Sequence, residues 1–166
     1  METIAVYWEN RAKTYGLQVE RELSLFQIST TSSELAELGS MLMNDSGGIR
    51  FSWALVQTSS HQRLKISLLL SQEWAPAMQV LVGHSQENGK HFDVQIVSPV
   101  ELVYFHGPHF GDRYGIADTT LGTLRRKGLP ILAAGCTGAS VYIVAPEHYS
   151  EKIKQTLSDS FDTPNE

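Results

Sequence analysis

The stretch from residue 100 to residue 161 constrains the fold most, because its turns are sharply marked. Residues 100–105 form a β-rich apolar run that His106-Gly107-Pro108 breaks. Ile116, Leu121, Leu124 and Leu129 then fall near helical spacing, with Arg125, Arg126 and Lys127 in the last turn and Gly128 just after. Cations suit the negative end of the helix dipole, and glycine suits a left-handed cap. Residues 129–134 and 139–145 read as two further strands, split by Gly135-Cys136-Thr137-Gly138. Pro146 stops the second, and 147–161 reads as a helix with Ile153, Leu157 and Phe161 on one face. The order is β-α-β-β-α.

The first hundred residues repeat that order. Residues 3–8 form a short β-branched and aromatic strand, followed by a charged loop. Residues 17–30 are extended, with a break near Glu20-Arg21-Glu22 that predicts one bulged strand or two meeting strands. Thr30-Thr31-Ser32-Ser33-Glu34 starts a helix whose apolar face is Leu35, Leu38, Leu42 and Met43, and Gly47-Gly48 ends it. Strands at 49–58 and 64–70, a helix at 73–82 and a strand at 92–97 complete β-α-β-β-α-β. Helix starts, glycine stops and paired strands of the two halves align at a shift of about eighty residues, as in a tandem duplication. The predicted fold class is α+β: two ferredoxin-like βαββαβ units in tandem, over 14–98 and 99–161, with 162–166 a disordered tail. The second unit lacks its last strand, and an unpaired sheet edge is a liability. Residues 3–8 or 15–19 are therefore expected to complete the second sheet, interleaving the units.

Composition excludes several classes. A chain of 166 residues, 42% hydrophobic, can bury a core. A formal net charge of -5 gives no basic footprint for nucleic acid or an anionic membrane. One cysteine, Cys136, excludes an internal disulfide and a four-cysteine zinc site. The acidic start at Met1-Glu2-Thr3 does not resemble a signal peptide, and the apolar runs are strand-sized. A cytoplasmic protein is expected.

The ordered set of residues resembles the ACT domain, more narrowly the regulatory half of aspartokinases. Tyr114-Gly115 stands where that family has Pro-Gly, Pro130-Ile131 where it has Asn-Ile, and Cys136-Thr137 at its Ser/Thr turn. Residues 13–17 resemble its Thr-Gly-Ile entry, 25–29 its first strand and 55–58 its Leu-Gln-Asn. The resemblance covers roughly 13–161 and implies a shared N-terminal strand and homodimerisation through ACT sheets. No glycine-rich phosphate loop followed by a lysine, as a kinase would need, occurs in the sequence.

The same resemblance implies an amino-acid site formed by Thr30, Ser33, Leu35 and Gln57 and faced by Pro130 and Ile131. The family's Asp-x-Pro-Gly reads Thr30-Thr31-Ser32-Ser33 here, and a plain helix cap is the alternative for that segment. The loop at 106–115 is long and glycine-rich and precedes a helix, so His106, His109, Gly111, Asp112 and Arg113 form a second candidate ligand site. His106, His109 and Asp112 carry metal-ligating atoms but lack a completing cluster, and no metal or cofactor is expected. Cys136 could pair with a histidine as a nucleophile, or be a small packed hydrophobe. The function expected is a non-catalytic regulatory protein binding a small molecule, an amino acid by class. A protein–protein interaction module with a decayed effector site is the alternative, and a Cys136-dependent enzyme a third reading.

Overall fold

The computed structural model of the chain describes residues 11–45, 47–59, 63–87, 93–108, 110–111 and 113–164, so the strand expected at 3–8 lies outside the described residues. Among the described residues six strands and four helices follow in the order β1 (Leu17–Thr30), α1 (Ser32–Asp45), β2 (Phe51–Thr58), β3 (Leu64–Ser71), α2 (Ala75–Glu87), β4 (Asp93–His106), α3 (Ile116–Arg126), β5 (Ala133–Cys136), β6 (Ser140–Pro146) and α4 (Ser150–Ser158). A 3-10 turn, Gln72–Trp74, leads into α2. The strands are hydrogen-bonded in the order β2-β3-β1-β4-β6-β5, and β1–β3, β2–β3 and β5–β6 pair antiparallel. The chain divides into an inner unit, Glu20–Glu101, and an outer unit made from Met1–Val19 and Leu102–Glu166.

In the inner unit the sheet buries alternate residues against its two helices. Phe26 and Ile28 of β1 and Ile66, Leu68 and Leu70 of β3 pack with Leu38 of α1 and with Met78, Leu81 and Val82 of α2. This is the period-two pattern that a sheet with a helical layer on one face requires. Leu25 and Leu69 are paired across β1 and β3 on the other face and are also fully buried. The break at Glu20-Arg21-Glu22 falls inside one strand, and Glu22 takes a φ of 57° there. Leu35, Met41 and Leu42 face the core, whereas Met43 is 86% exposed. Met43 therefore leaves the predicted apolar face, and Met41 takes its place. Arg21 Nε lies 3.4 Å from the carboxylate of buried Glu101, joining the unit's two ends.

The outer unit packs Leu17, Val103, Phe105, Phe110, Ile116, Leu124, Val141, Ile143, Ile153, Leu157 and Phe161 into one core. Phe105 meets Phe110 edge-on at 5.8 Å between centroids and Phe161 at 5.1 Å. The end of α3 matches its sequence signal. Gly128 has a φ of 65°, its N–H donates to the Arg125 carbonyl, and the Leu129 N–H donates to the Leu124 carbonyl. That is a Schellman cap, and Leu124 and Leu129 form its apolar contact.

Several boundaries differ from the sequence expectation; the helix expected at 73–82, for one, runs from Ala75 to Glu87. The strands predicted at 92–97 and 100–105 are one strand, β4, running through the cis Ser98–Pro99 bond. Proline removes a ladder donor and so reads as a break, but the Ser24 and Ser98 hydroxyls bond at 2.8 Å and Val100 is fully buried, so the strand continues. The strand predicted at 129–134 begins only at Ala133, since Leu129 closes the helix cap. The last helix ends at Ser158, and Phe161 reaches the core from beyond it. Asp162, placed in the tail, bridges to Lys13 in parallel fashion, with Thr14 N–H donating to the Asp162 carbonyl and Asp162 N–H to the Ala12 carbonyl, both at 2.9 Å.

Candidate functional site

The start of α1 is a complete capping box. Glu34 N–H donates to Thr31 Oγ1 at 3.4 Å, and Glu34 Oε2 accepts from Thr31 N–H at 2.8 Å. The hydroxyls of Thr31 and of buried Thr30 donate to the same oxygen at 2.9 and 3.0 Å. Donation by the Thr31 N–H, then by the two hydroxyls, holds the Glu34 carboxyl below its ordinary 4.5. Thr30, expected at the ligand, is thus engaged by the helix's own carboxylate. Ser33 is exposed, its hydroxyl 3.1 Å from that of Thr31, and Leu35 packs against the inner core. Gln57 is exposed on β2 directly opposite Lys65 of β3, which is opposite Ser29 of β1. Pro130 and Ile131 belong to the outer unit, where Ile131 lies against that unit's core.

The loop after β4 is held by packing. Its Phe110 is buried in the outer core. A Cβ on Gly107 would lie 2.2 Å from the Lys13 carbonyl oxygen and 2.4 Å from the Phe110 ring, and one on Gly111 would lie 2.8 Å from the Gly138 carbonyl oxygen. These two glycines are required by close backbone approach, not by turn geometry. The exposed His106 ring lies 5.3 Å from the Tyr15 ring, and its carbonyl accepts from the Tyr15 N–H. Arg113 is partly buried, and the Gly115 φ of 86° opens α3. His109 and Asp112 lie outside the described residues.

Cys136 ends β5 and is exposed, and partial desolvation pushes its thiol above the ordinary 9.0. A nucleophilic cysteine needs the opposite shift. Among the described residues no three His, Cys, Asp or Glu side chains gather as a metal site would require, and no helix is long and apolar enough to cross a membrane.

The inner unit carries a recess that the sequence did not disclose. Gln27 and Ser29 of β1 form its floor, Lys65 of β3 lies on one side, Asp93 and Gln95 of β4 on the other, and Ser59 at one end. Its volume is about 180 Å³. Alternation along each strand marked these polar positions, but the register that assembles three strands is a tertiary fact.

The geometry defines an α+β protein in which each unit has helices packed on one face of a sheet. No family model matches the sequence, and no curated protein sequence matches it. Among solved structures the chain is similar to the regulatory subunit of aspartate kinase from Thermus thermophilus, at 12% identity and a TM-score of 0.73, over 89% of this chain and 98% of that one. It is also similar to Escherichia coli aspartokinase III in complex with lysine and aspartate, at 18% identity and a TM-score of 0.65, over 93% of this chain and 35% of that one. Aspartate kinase from Synechocystis gives 11% identity and a TM-score of 0.74 over 92% of this chain and 28% of that one. At such identities the likeness is one of fold. The chain has the fold of the regulatory region of aspartate kinase.

Proposed function

We propose that this chain is a non-catalytic regulatory protein of the ACT type that binds a small molecule, an amino acid by class. The observation that carries the reading is the fold likeness to the Thermus thermophilus regulatory subunit, which spans 89% of this chain and 98% of the other. The inner unit, with order β2-β3-β1-β4, reads as one ferredoxin-like βαββαβ unit. The outer order β5-β6-β4, with the start of β1 beside β4, reads as a second unit completed by the N-terminal chain. The proposed ligand sits at the end of the inner sheet that holds Thr30, Ser33, Leu35 and Gln57. The outer loop with His106, Gly111 and Arg113 is a further place for contact. The eight-residue β2 is terminal in the strand order, and its outer edge is the proposed dimer contact with a second copy. Ligand regulates the protein by binding one state better than another, since only differential affinity shifts an equilibrium.

The test is thermal unfolding against each of the twenty amino acids at millimolar concentration, with sedimentation run in parallel. A ligand at about a hundred times its dissociation constant adds about 2.7 kcal/mol, which raises the midpoint by about 5–11 °C in a chain of this size. One amino acid is expected to give such a shift. A flat response to all twenty would refute the reading.

A further inference from the structure

We infer that the recess on the inner sheet is a binding site for a single zwitterion of amino-acid size, with Lys65 holding the carboxylate and Asp93 the ammonium. This rests on the amino-acid reading above and places that ligand at the same end of the inner sheet, beside Gln57 but on the face opposite Thr30 and Leu35.

The charges are arranged for such a guest. Lys65 and Asp93 stand on β3 and β4, the two neighbours of β1, so opposite charges flank the floor formed by Gln27 and Ser29. Two strand spacings separate those neighbours, about 10 Å, a width that one amino acid lying over β1 fills. Among the described residues neither the Lys65 ammonium nor the Asp93 carboxylate has a hydrogen-bond or ion-pair partner. The unpaired ammonium offers three donors and the unpaired carboxylate only acceptors.

The floor adds direction. Arg63 Nε donates to Ser29 Oγ at 3.0 Å, and another guanidinium nitrogen donates to the Ser29 carbonyl at 3.0 Å. With its oxygen accepting from Arg63, the Ser29 hydroxyl keeps its proton to donate. Ser29 is the direct cross-strand neighbour of Lys65, so both donors serve the same end of the recess. The carboxylate therefore belongs at the β3 side and the ammonium at the β4 side. Gln57 stands in the same cross-strand row, on the far side of Lys65. A recess of about 180 Å³ offers room for a guest of amino-acid size.

The experiment is titration calorimetry with the wild type, Lys65→Met, Asp93→Asn and, as a surface-charge control, Lys152→Met. The probes are the twenty amino acids, followed by the N-acetyl and α-amide derivatives of the one bound most tightly. Lys65 and Asp93 are exposed, so both variants should fold, and unliganded melting curves check this. Each site variant is expected to weaken binding at least tenfold and the control less than twofold. Wild type should reject both derivatives, Asp93→Asn should lose its discrimination against the N-acetyl form, and Lys65→Met its discrimination against the amide. Wild-type binding that survives both site variants would overturn this inference and leave the regulatory reading standing. Equal weakening by the control would overturn it as a general charge effect. No binding by wild type would overturn both.

Discussion

Gly107→Ala tests the view that the 106–115 loop is built by packing. Gly107 has no left-handed φ, so a methyl group there is opposed by space alone. The new Cβ would sit 2.2 Å from the Lys13 carbonyl oxygen, and contacts under 3.0 Å are essentially never seen, so those atoms must part by about 0.8 Å. Lys13 cannot yield freely: its segment is tied to Asp162 by a bridge and by hydrogen bonds of 2.9 Å from Thr14 and to Ala12. Overpacking costs about 1–3 kcal/mol, and weakening one of the two backbone bonds adds about 1 kcal/mol. A loss of about 3 kcal/mol lowers the melting midpoint by about 6–12 °C for a chain of this size. Gly39→Ala, in α1 with nothing within 4 Å of its Cβ, is the matched control. It should gain about 0.5–1 kcal/mol from helix propensity. The assay is thermal unfolding by circular dichroism of the three proteins side by side. A Gly107→Ala midpoint within about 2 °C of wild type, where about 6–12 °C is expected, would refute the reasoning.

Two further outcomes are expected. Glu34→Ala should cost about 1 kcal/mol at pH 7 by removing the capping carboxylate. Because the folded pKa lies below the ordinary 4.5, that stability is present above 4.5 and is lost as pH falls through the folded value. Urea unfolding of both proteins at pH 7 and in acid should show the gap closing, and an acid-independent gap would contradict the assignment. Cys136, with its thiol pushed above 9.0 by partial desolvation, should react with iodoacetamide at pH 7.5 more slowly than free glutathione. A faster reaction would reinstate the nucleophile reading.

Much of this architecture is legible in the sequence because local chemistry and tertiary role agree. Arg125-Arg126-Lys127-Gly128 announced the end of α3, and the glycine adopts the left-handed conformation announced. Thr31 and Glu34 carried the capping signature at the spacing where the box forms. What escaped depended on contacts between distant segments. Pro99 reads as a strand end by local rules, and the Ser24–Ser98 bond and the burial of Val100 show the strand carrying on. Gly107 and Gly111 look like turn residues, although Lys13 and Gly138 dictate them. The site was the least legible part, because Ser29, Lys65 and Asp93 are brought together solely by the register of three strands.

The outer unit draws on both ends of the chain, while the inner unit is one continuous segment whose end residues Arg21 and Glu101 hold each other. During synthesis this imposes a timetable. The inner unit is complete once residue 101 has emerged, whereas the segment ending at Val19 must wait for its partners in 102–166. At about 5–20 residues per second the ribosome takes roughly 3–13 s to deliver those residues. Throughout that interval Leu17, whose final place is the outer core, stays tethered to a finished neighbour with its own partners unmade. A nascent chain arrested once residue 101 has cleared the ribosome should accordingly protect the inner segment from protease and leave the stretch before it open to cleavage.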